Sequence, residues 1–234
     1  MIIIPARMAS NRFPNKILAD INGLPMVIAT ASRVSKLDRV VIATDSLEVI
    51  EIAKKYGYEA VITGTHHQSG TDRINEASLS LDIDEDEVIV NVQADEPFIE
   101  PDVVQKVIDC VKNSDCFMAS CYKLIDKTFA DDPNHVKVIT DTNENAIYFS
   151  RSKIPYDREE HLEYFGHLGI YGFTKKSLKE FCELEPAPLE NIEKLEQLRA
   201  IYHGKKIAMV KVESESFGID TKEDLKRALE YFRV

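Results

Sequence analysis

Neither a GxGxxG nor a GxxxxGK[ST] run occurs in the 234 residues, so the dinucleotide fingerprint and the P-loop are both absent. Cysteine is scarce, at four residues (Cys110, Cys116, Cys121, Cys182), and no two form a CxxC pair. Cys110 and Cys116 are spaced too widely for a zinc pair and Cys121 sits in an apolar strand pattern, so buried free thiols are expected rather than a metal cluster. No apolar run is long enough to span a bilayer and no signal-peptide pattern opens the chain, which makes a cytoplasmic protein the expectation. Positive charge is in deficit: 29 Lys and Arg against 40 Asp and Glu give a formal net charge of −11, which repels polynucleotides and anionic membrane surfaces. The remaining composition, 44% hydrophobic and 29% charged without low-complexity tracts, is that of a folded globular chain, and a single domain over 1–234 is expected.

The cation deficit reverses in one place. Residues 1–19 hold Arg7, Arg12 and Lys16 and no acid, in the run IPARMASNRFPNK directly after Met-Ile-Ile-Ile. Two guanidinium forks and one ammonium can hold a polyphosphate through side chains, without the glycine-rich backbone cradle. On charge alone, a solvated basic loop accounts for the run equally well.

Short Val/Ile-rich runs at Ile2–Ile4, 39–44, 59–63 and 87–93 read as parallel strands buried on both faces. Segments 25–36, 46–56 and 71–81 between them read as crossover helices, with Asn22-Gly23 as a turn signal before the first. This βαβ succession predicts a three-layer α/β/α sandwich around a mostly parallel sheet. A helix follows over 102–111, its stripe formed by Val104, Val107, Ile108 and Val111. From 117 to 173 the strand-like runs FMASCYKL, HVKVIT, AIYFS and HLGIYGF follow one another without helices, predicting an antiparallel extension. Helices are expected again over 175–182 and 191–202, then a strand over 207–212. A last helix carries the stripe Leu225, Ala228, Leu229 and Phe232.

Ligands of open α/β sheets sit beyond the carboxyl ends of the strands. Those positions hold Arg7, Ser10, Arg12 and Lys16, then Thr44 and Asp45, then HHQSGTDR (66–73), then Gln93, Asp95 and Glu96. Phosphate chemistry calls for a divalent cation with oxygen ligands. Asp95 in NVQADEPF stands where Pro97 turns the chain out of the sheet, as either a metal ligand or a solvated strand end. Asp220 in FGIDTKED can cap a helix with Glu223 three residues on. Thr221 with Asp224 can do the same and leave the Asp220 carboxylate for a metal.

IPARMASNRFPNK, HHQSGTDR, NVQADEPF and the terminal FGIDTKEDL together resemble the 3-deoxy-manno-octulosonate cytidylyltransferase (CMP-Kdo synthetase) family. NAIYFSRSKIPYDR (145–158), HLGIYGF (167–173) and LEQLRA (195–200) extend the resemblance over essentially the whole chain. It implies a nucleotide-diphospho-sugar-transferase-like fold and transfer of CMP from CTP to the anomeric hydroxyl of Kdo, with release of pyrophosphate and no covalent enzyme intermediate. It also implies Arg7, Ser10, Arg12 and Lys16 on the CTP phosphates, Ala6, Ser69, Gly70, Arg73 and Gln93 shaping the nucleotide pocket, and Mg2+ held by Asp95 and Asp220. Arg12, Lys16, Asp95 and Asp220 form the implied catalytic set. Arg151 is implied to pair with the Kdo carboxylate, and Gln93, His167, Tyr171, Glu196 and Gln197 to bind its hydroxyls. A homodimer through 117–173 is part of the same implication, with lipopolysaccharide assembly as the pathway.

Ala94 stands where many members have Gly, and Lys153 and Tyr156 replace a small or proline residue and a Trp. These departures bear on the choice of sugar, leaving 8-amino-Kdo or a sialic acid as the alternative acceptor. A dinucleotide oxidoreductase lacks its glycine fingerprint here. A non-catalytic sugar-binding protein has no use for both Asp95 and Asp220.

Overall fold

The computed structural model describes residues 1–9, 12–159, 161 and 163–232. β1 (Ile2–Ala6) leads through a 3₁₀ turn at Lys16–Leu18 to β2 (Asp20–Ile21), β3 (Leu24–Pro25) and α1 (Met26–Val34). Asn22 and Gly23, at φ 53° and 89°, close the β2–β3 hairpin that the Asn-Gly pair predicts. Then come β4 (Val40–Thr44), α2 (Leu47–Lys55), β5 (Glu59–Ile62), α3 (Gly70–Ser80), β6 (Val88–Asn91) and α4 (Pro101–Asn113).

The strands read from the Val/Ile runs are parallel neighbours in the order β6-β1-β4-β5. Every residue of β1 is buried. Its Ile2, Ile4 and Ala6 pack with α1, α2 and α4, while Ile3 packs on the opposite layer with Ile74 and Ala77 of α3. A period-two strand with apolar residues at every position needs a helical layer on each face, and the sandwich supplies both.

The second half runs β7 (Met118–Ile125), α5 (Lys127–Asp131), β8 (Lys137–Thr140), β9 (Ala146–Ser150) and β10 (Tyr164–Thr174), then α6 (Lys175–Glu183), α7 (Pro188–Glu193), α8 (Leu198–Tyr202), β11 (Ile207–Lys211) and α9 (Lys222–Tyr231). The full sheet path is β11-β7-β10-β6-β1-β4-β5, in which β10 alone runs against its neighbours. The antiparallel stretch therefore has two parts. β10 lies inside the main sheet, and the β8–β9 hairpin extends from it through Lys137 opposite Gly166. Gly172 of β10 lies hard against α4: a Cβ there would stand 2.6 Å from Val111 Cγ2 and 2.9 Å from Val107 Cγ1. Only a residue without a side chain lets that helix settle on the strand.

Two expectations need correction. The stretch 117–173 is not free of helix, because Asp126 caps α5 by accepting from the N–H groups of Thr128 and Phe129 (2.8 and 3.1 Å). The single helix expected over 191–202 is two short ones, α7 and α8, broken at Lys194 with φ 54°. The break lets Arg199 of α8 fold back on Glu190 of α7, with Nε and Nη2 at 3.0 and 2.6 Å from its two oxygens.

α9 buries Ala228 and packs Leu225, Leu229 and Phe232 against Phe13, Ile21, Met26, Phe98 and Ile219, as its apolar stripe predicts. That cluster ties the C-terminal helix to the opening loop and to the turn after β6. It thereby brings residues 13, 98 and 219 to one end of the sheet.

Candidate active site

Beyond the carboxyl ends of β1, β4 and β6 lies a cavity of about 430 Å³, bordered by Pro5, Arg7, Arg12, Lys16, Ser69, Gly70, Arg73, Gln93, Ala94, Asp95 and Asp220. His67 and Gln68, which sequence reasoning covered only within their motif, also line it. Ser10 of the expected phosphate loop lies outside the described residues.

Asp95 and Asp220 meet at Lys16. The ammonium donates to Asp95 Oδ2 at 2.5 Å and to Asp220 Oδ1 at 3.0 Å, and Arg12 Nη2 donates to Asp220 Oδ2 at 2.9 Å. Backbone geometry fixes this meeting: the Ile219 N–H donates to Asp95 O at 2.9 Å, fastening the two acidic loops together. Thr221 caps α9, accepting from Asp224 N at 3.0 Å, while the Asp224 carboxylate receives the Thr221 N–H at 3.0 Å. Asp220 is therefore not the cap, and its carboxylate is free to face the cavity. Burial alone would lower the Lys16 ammonium pKa, but the Asp95 and Asp220 carboxylates outweigh it and raise the pKa. Two carboxylates converging on one compact cation are a donor set suited to a hard divalent ion, with substrate phosphates and water completing the shell. Arg7 lines the same cavity, is exposed and makes no ion pair among the described residues.

Glu96, expected at the rim beside Asp95, turns away. Its Oε2 accepts from Ser216 Oγ at 2.8 Å, and burial, reinforced by the neighbouring Asp95 charge, pushes its carboxyl pKa up to about 7.

The nucleotide-side residues divide. Gly70 packs so closely that a Cβ would lie 3.0 Å from Pro5 Cγ, so a side chain there would need the Pro5 ring to give by a few tenths of an ångström for the α3 N-terminus to keep its approach to the opening strand. Ser69 caps α3, accepting from Asp72 N at 3.0 Å. Arg73 is 2% exposed, with Nη2 3.0 Å from Asp45 Oδ2 and Nη1 2.6 Å from Thr63 Oγ1. Asp45 Oδ1 also accepts from the Met8 N–H at 3.1 Å. Arg73 thus braces the ends of β4 and β5 and, through Asp45, the opening loop. Ala6 is fully buried in the core, between Pro5 and Arg7, which both border the cavity.

The sugar-side residues form a layer, buried or half-buried, of two hydrogen-bonded lines, one of them starting from Gln93 in the cavity wall. Gln93 Nε2 donates to Asn91 Oδ1 (3.2 Å), Asn91 Nδ2 to Thr71 Oγ1 (3.4 Å), and Thr71 Oγ1 to Glu196 Oε1 (2.7 Å). Glu196 Oε2 is buried without a partner among the described residues, and burial raises the carboxyl pKa against the lowering effect of the Thr71 hydrogen bond. Tyr171 OH donates to Gln197 Oε1 at 3.0 Å, Gln197 Nε2 meets His167 Nδ1 at 3.5 Å, and His167 Nε2 meets Ser120 Oγ at 2.8 Å. Sequence reasoning missed Asn91 and Thr71, the links joining this layer to Gln93. Arg151 is not brought to the cavity. Its guanidinium donates to the carbonyls of Glu193 (2.7 Å), Pro133 (3.1 Å) and Lys194 (3.4 Å). Lys153, paired with Asp131 and Asp157, and Tyr156, which is 87% exposed, also stand outside the cavity lining, whereas Ala94 is part of it.

Burial drives the His167 pKa down to about 3, so the imidazole stays neutral in the fold. An unfolded histidine titrates near about pH 6.5. Below that pH the unfolded chain binds a proton that the folded chain refuses until about pH 3. Stability is therefore lost as pH falls through this window, by up to about 1.4 kcal/mol per pH unit. Urea melts at several pH values check this: His167→Gln should flatten the slope, and equal slopes in both proteins would contradict it.

A sequence profile described as Cytidylyltransferase matches residues 1–207. The chain is 58% identical over 231 residues to 3-deoxy-manno-octulosonate cytidylyltransferase of a Nitratiruptor species, covering 97% of both chains. It is 49% identical to the enzyme of the same name from Helicobacter pylori, over 99% of this chain and 97% of that one. Its fold matches a solved CMP:2-keto-3-deoxy-manno-octonic acid synthetase complexed with CTP, with TM-score 0.93, 34% identity, and coverage of 100% of this chain and 98% of that one. Matched along nearly its whole length by relatives of one name, the chain belongs to the cytidylyltransferase family, among the 3-deoxy-manno-octulosonate cytidylyltransferases.

Proposed function

We propose that this chain transfers CMP from CTP to the anomeric hydroxyl of 3-deoxy-manno-octulosonate, releasing pyrophosphate. The observation that carries the reading is the convergence of Asp95 and Asp220 on Lys16, beside Arg7 and Arg12 in one cavity. The nucleophile is a weak alcohol and both substrates are anions, so the protein's task is positioning and charge neutralisation. Arg7, Arg12 and Lys16 bind the triphosphate, which competes with the two carboxylates for Lys16 and Arg12. As those cations move to phosphate oxygens, Asp95 and Asp220 become available as metal ligands. Magnesium bound there would stabilise charge at the α-phosphorus and lower the pKa of the attacking hydroxyl. Arg12 and Lys16 then stabilise the departing pyrophosphate. Gln93, backed by the hydrogen-bonded line to Glu196, orients the sugar, and the layer of Tyr171, Gln197 and neutral His167 keeps that wall fixed.

A pyrophosphate-release assay with CTP and a panel of acidic keto sugars tests this. Turnover with 3-deoxy-manno-octulosonate that stops when magnesium is chelated is the expected result. Preference for the 8-amino sugar would move the acceptor, in line with Ala94 in the cavity wall. Turnover with none of the panel would overturn the reading.

The same reading makes the protein a cytoplasmic homodimer acting in lipopolysaccharide assembly. Exposed Leu124, Phe129, Ile147 and Tyr156 support a subunit contact within 117–173. Light scattering should give twice the mass of one 26.5 kDa chain, and a concentration-independent monomer would contradict it.

A further inference from the structure

Behind the segment that lines the nucleotide cavity, three metal-competent side chains converge on the outer side of α3. One donor atom from each of His66, His67 and Glu76 lies within 4.8 Å of the other two. The convergence is built by the backbone. After β5 the chain turns through Gly64, whose N–H donates to both Glu76 oxygens (3.2 and 3.0 Å), and the His67 ring Nε2 closes on Glu76 Oε2. Gly64 also admits His66, since a Cβ at position 64 would stand 2.4 Å from the His66 ring. The two imidazole centroids are 4.4 Å apart. Hydrogen bonds from His67 and from the Gly64 amide hold the Glu76 carboxyl pKa below its ordinary value, keeping it an anion. A second cavity, of about 400 Å³, opens onto this cluster, and Asn75, whose buried Oδ1 has no hydrogen-bond partner among the described residues, lines it too.

We propose that His66, His67 and Glu76 form a site for a divalent transition metal, zinc above all, that fastens the 64–70 segment to α3. Two imidazoles and one carboxylate make a three-ligand zinc set, with the fourth tetrahedral position open to water. Zinc–donor bonds of about 2.0–2.2 Å require donor atoms roughly 3.3–3.6 Å apart, which small side-chain rotations reach from the present spacing. The site is chemically distinct from the Asp95–Asp220 pair, because a hard cation favours oxygen donors whereas imidazole favours zinc. His67 and Gln68 line both cavities, so a metal here fixes one wall of the nucleotide cavity from behind.

Calorimetric titration of the full chain with zinc, in a large excess of magnesium, tests the site. One zinc per chain should bind, and His66→Ala and Glu76→Gln should each weaken it by at least about tenfold. Asp95→Asn should bind zinc as the unaltered protein does. Glu76→Gln also leaves the Gly64 N–H a single, uncharged acceptor in place of two carboxylate oxygens, so His66→Ala decides: its side chain is exposed and makes no hydrogen bond among the described residues. Retained CTP turnover by that variant would certify its fold. Absence of zinc binding, equal affinity in His66→Ala, or loss of the site in Asp95→Asn would each overturn the assignment.

Discussion

Asp95→Asn should lower turnover by about a thousandfold, the scale of losing a principal electrostatic group at a reacting centre, while the chain stays folded. The amide matches the carboxylate in volume and still accepts from Lys16, and the backbone oxygen that fastens Ile219 is untouched. On the proposed metal reading, what it removes is the negative charge that would hold a divalent cation opposite Asp220. Steady-state kinetics across a magnesium series, with a thermal melt as control, checks this. Normal turnover with a normal melt would remove Asp95 from the metal site.

Lys16→Ala has the second largest effect, lowering kcat/KM for CTP by about a hundredfold with little change in the sugar's KM. It carries a second signature in the absence of substrate. Lys16 is 13% exposed and spans Asp95 and Asp220, so its removal leaves two converging carboxylates neutralised, among the described residues, only by Arg12 on one side. Magnesium should therefore raise the melting temperature of the variant more than that of the unaltered protein, where the ammonium competes for the same oxygens. Equal shifts would mean that the lysine and the metal do not share a site. A sugar KM that rises more than the CTP KM would move Lys16 to the other substrate.

The first half of the fold was legible because β1, β4, β5 and β6 are short, continuous apolar runs separated by amphipathic helices, a pattern with few solutions. The place of β10 was not. A strand that enters the middle of a sheet from a later segment is set by long-range pairing with β6 and β7, and its own sequence carries no mark of that register. The break at Lys194 was hidden as well, since the contact between Arg199 and Glu190 that it permits pairs two side chains nine positions apart, which the apolar periodicity of the segment does not mark.

In the site, the sequence showed cations and acids at the strand ends but not their pairing. Lys16 meets Asp95 and Asp220 across 79 and 204 positions of chain. Arg73 stands in the motif as a cation ready for a nucleotide, yet in the fold its charge is committed to Asp45. Asp220 shows the reverse. Two capping pairs competed on paper, and the Thr221–Asp224 pair that forms leaves Asp220 to the cavity.

The central claim is that the group transferred is the α-phosphoryl with its cytidine, and that Lys16 and Arg12 escort the other two phosphates away. The most direct measurement runs two parallel reactions with 3-deoxy-manno-octulosonate, one with CTP labelled at the α-phosphorus and one with CTP labelled at the γ-phosphorus. The expected result is α-label in the sugar product and γ-label in pyrophosphate alone. Recovery of γ-label on the sugar, or of the α-label only in free CMP, would contradict it.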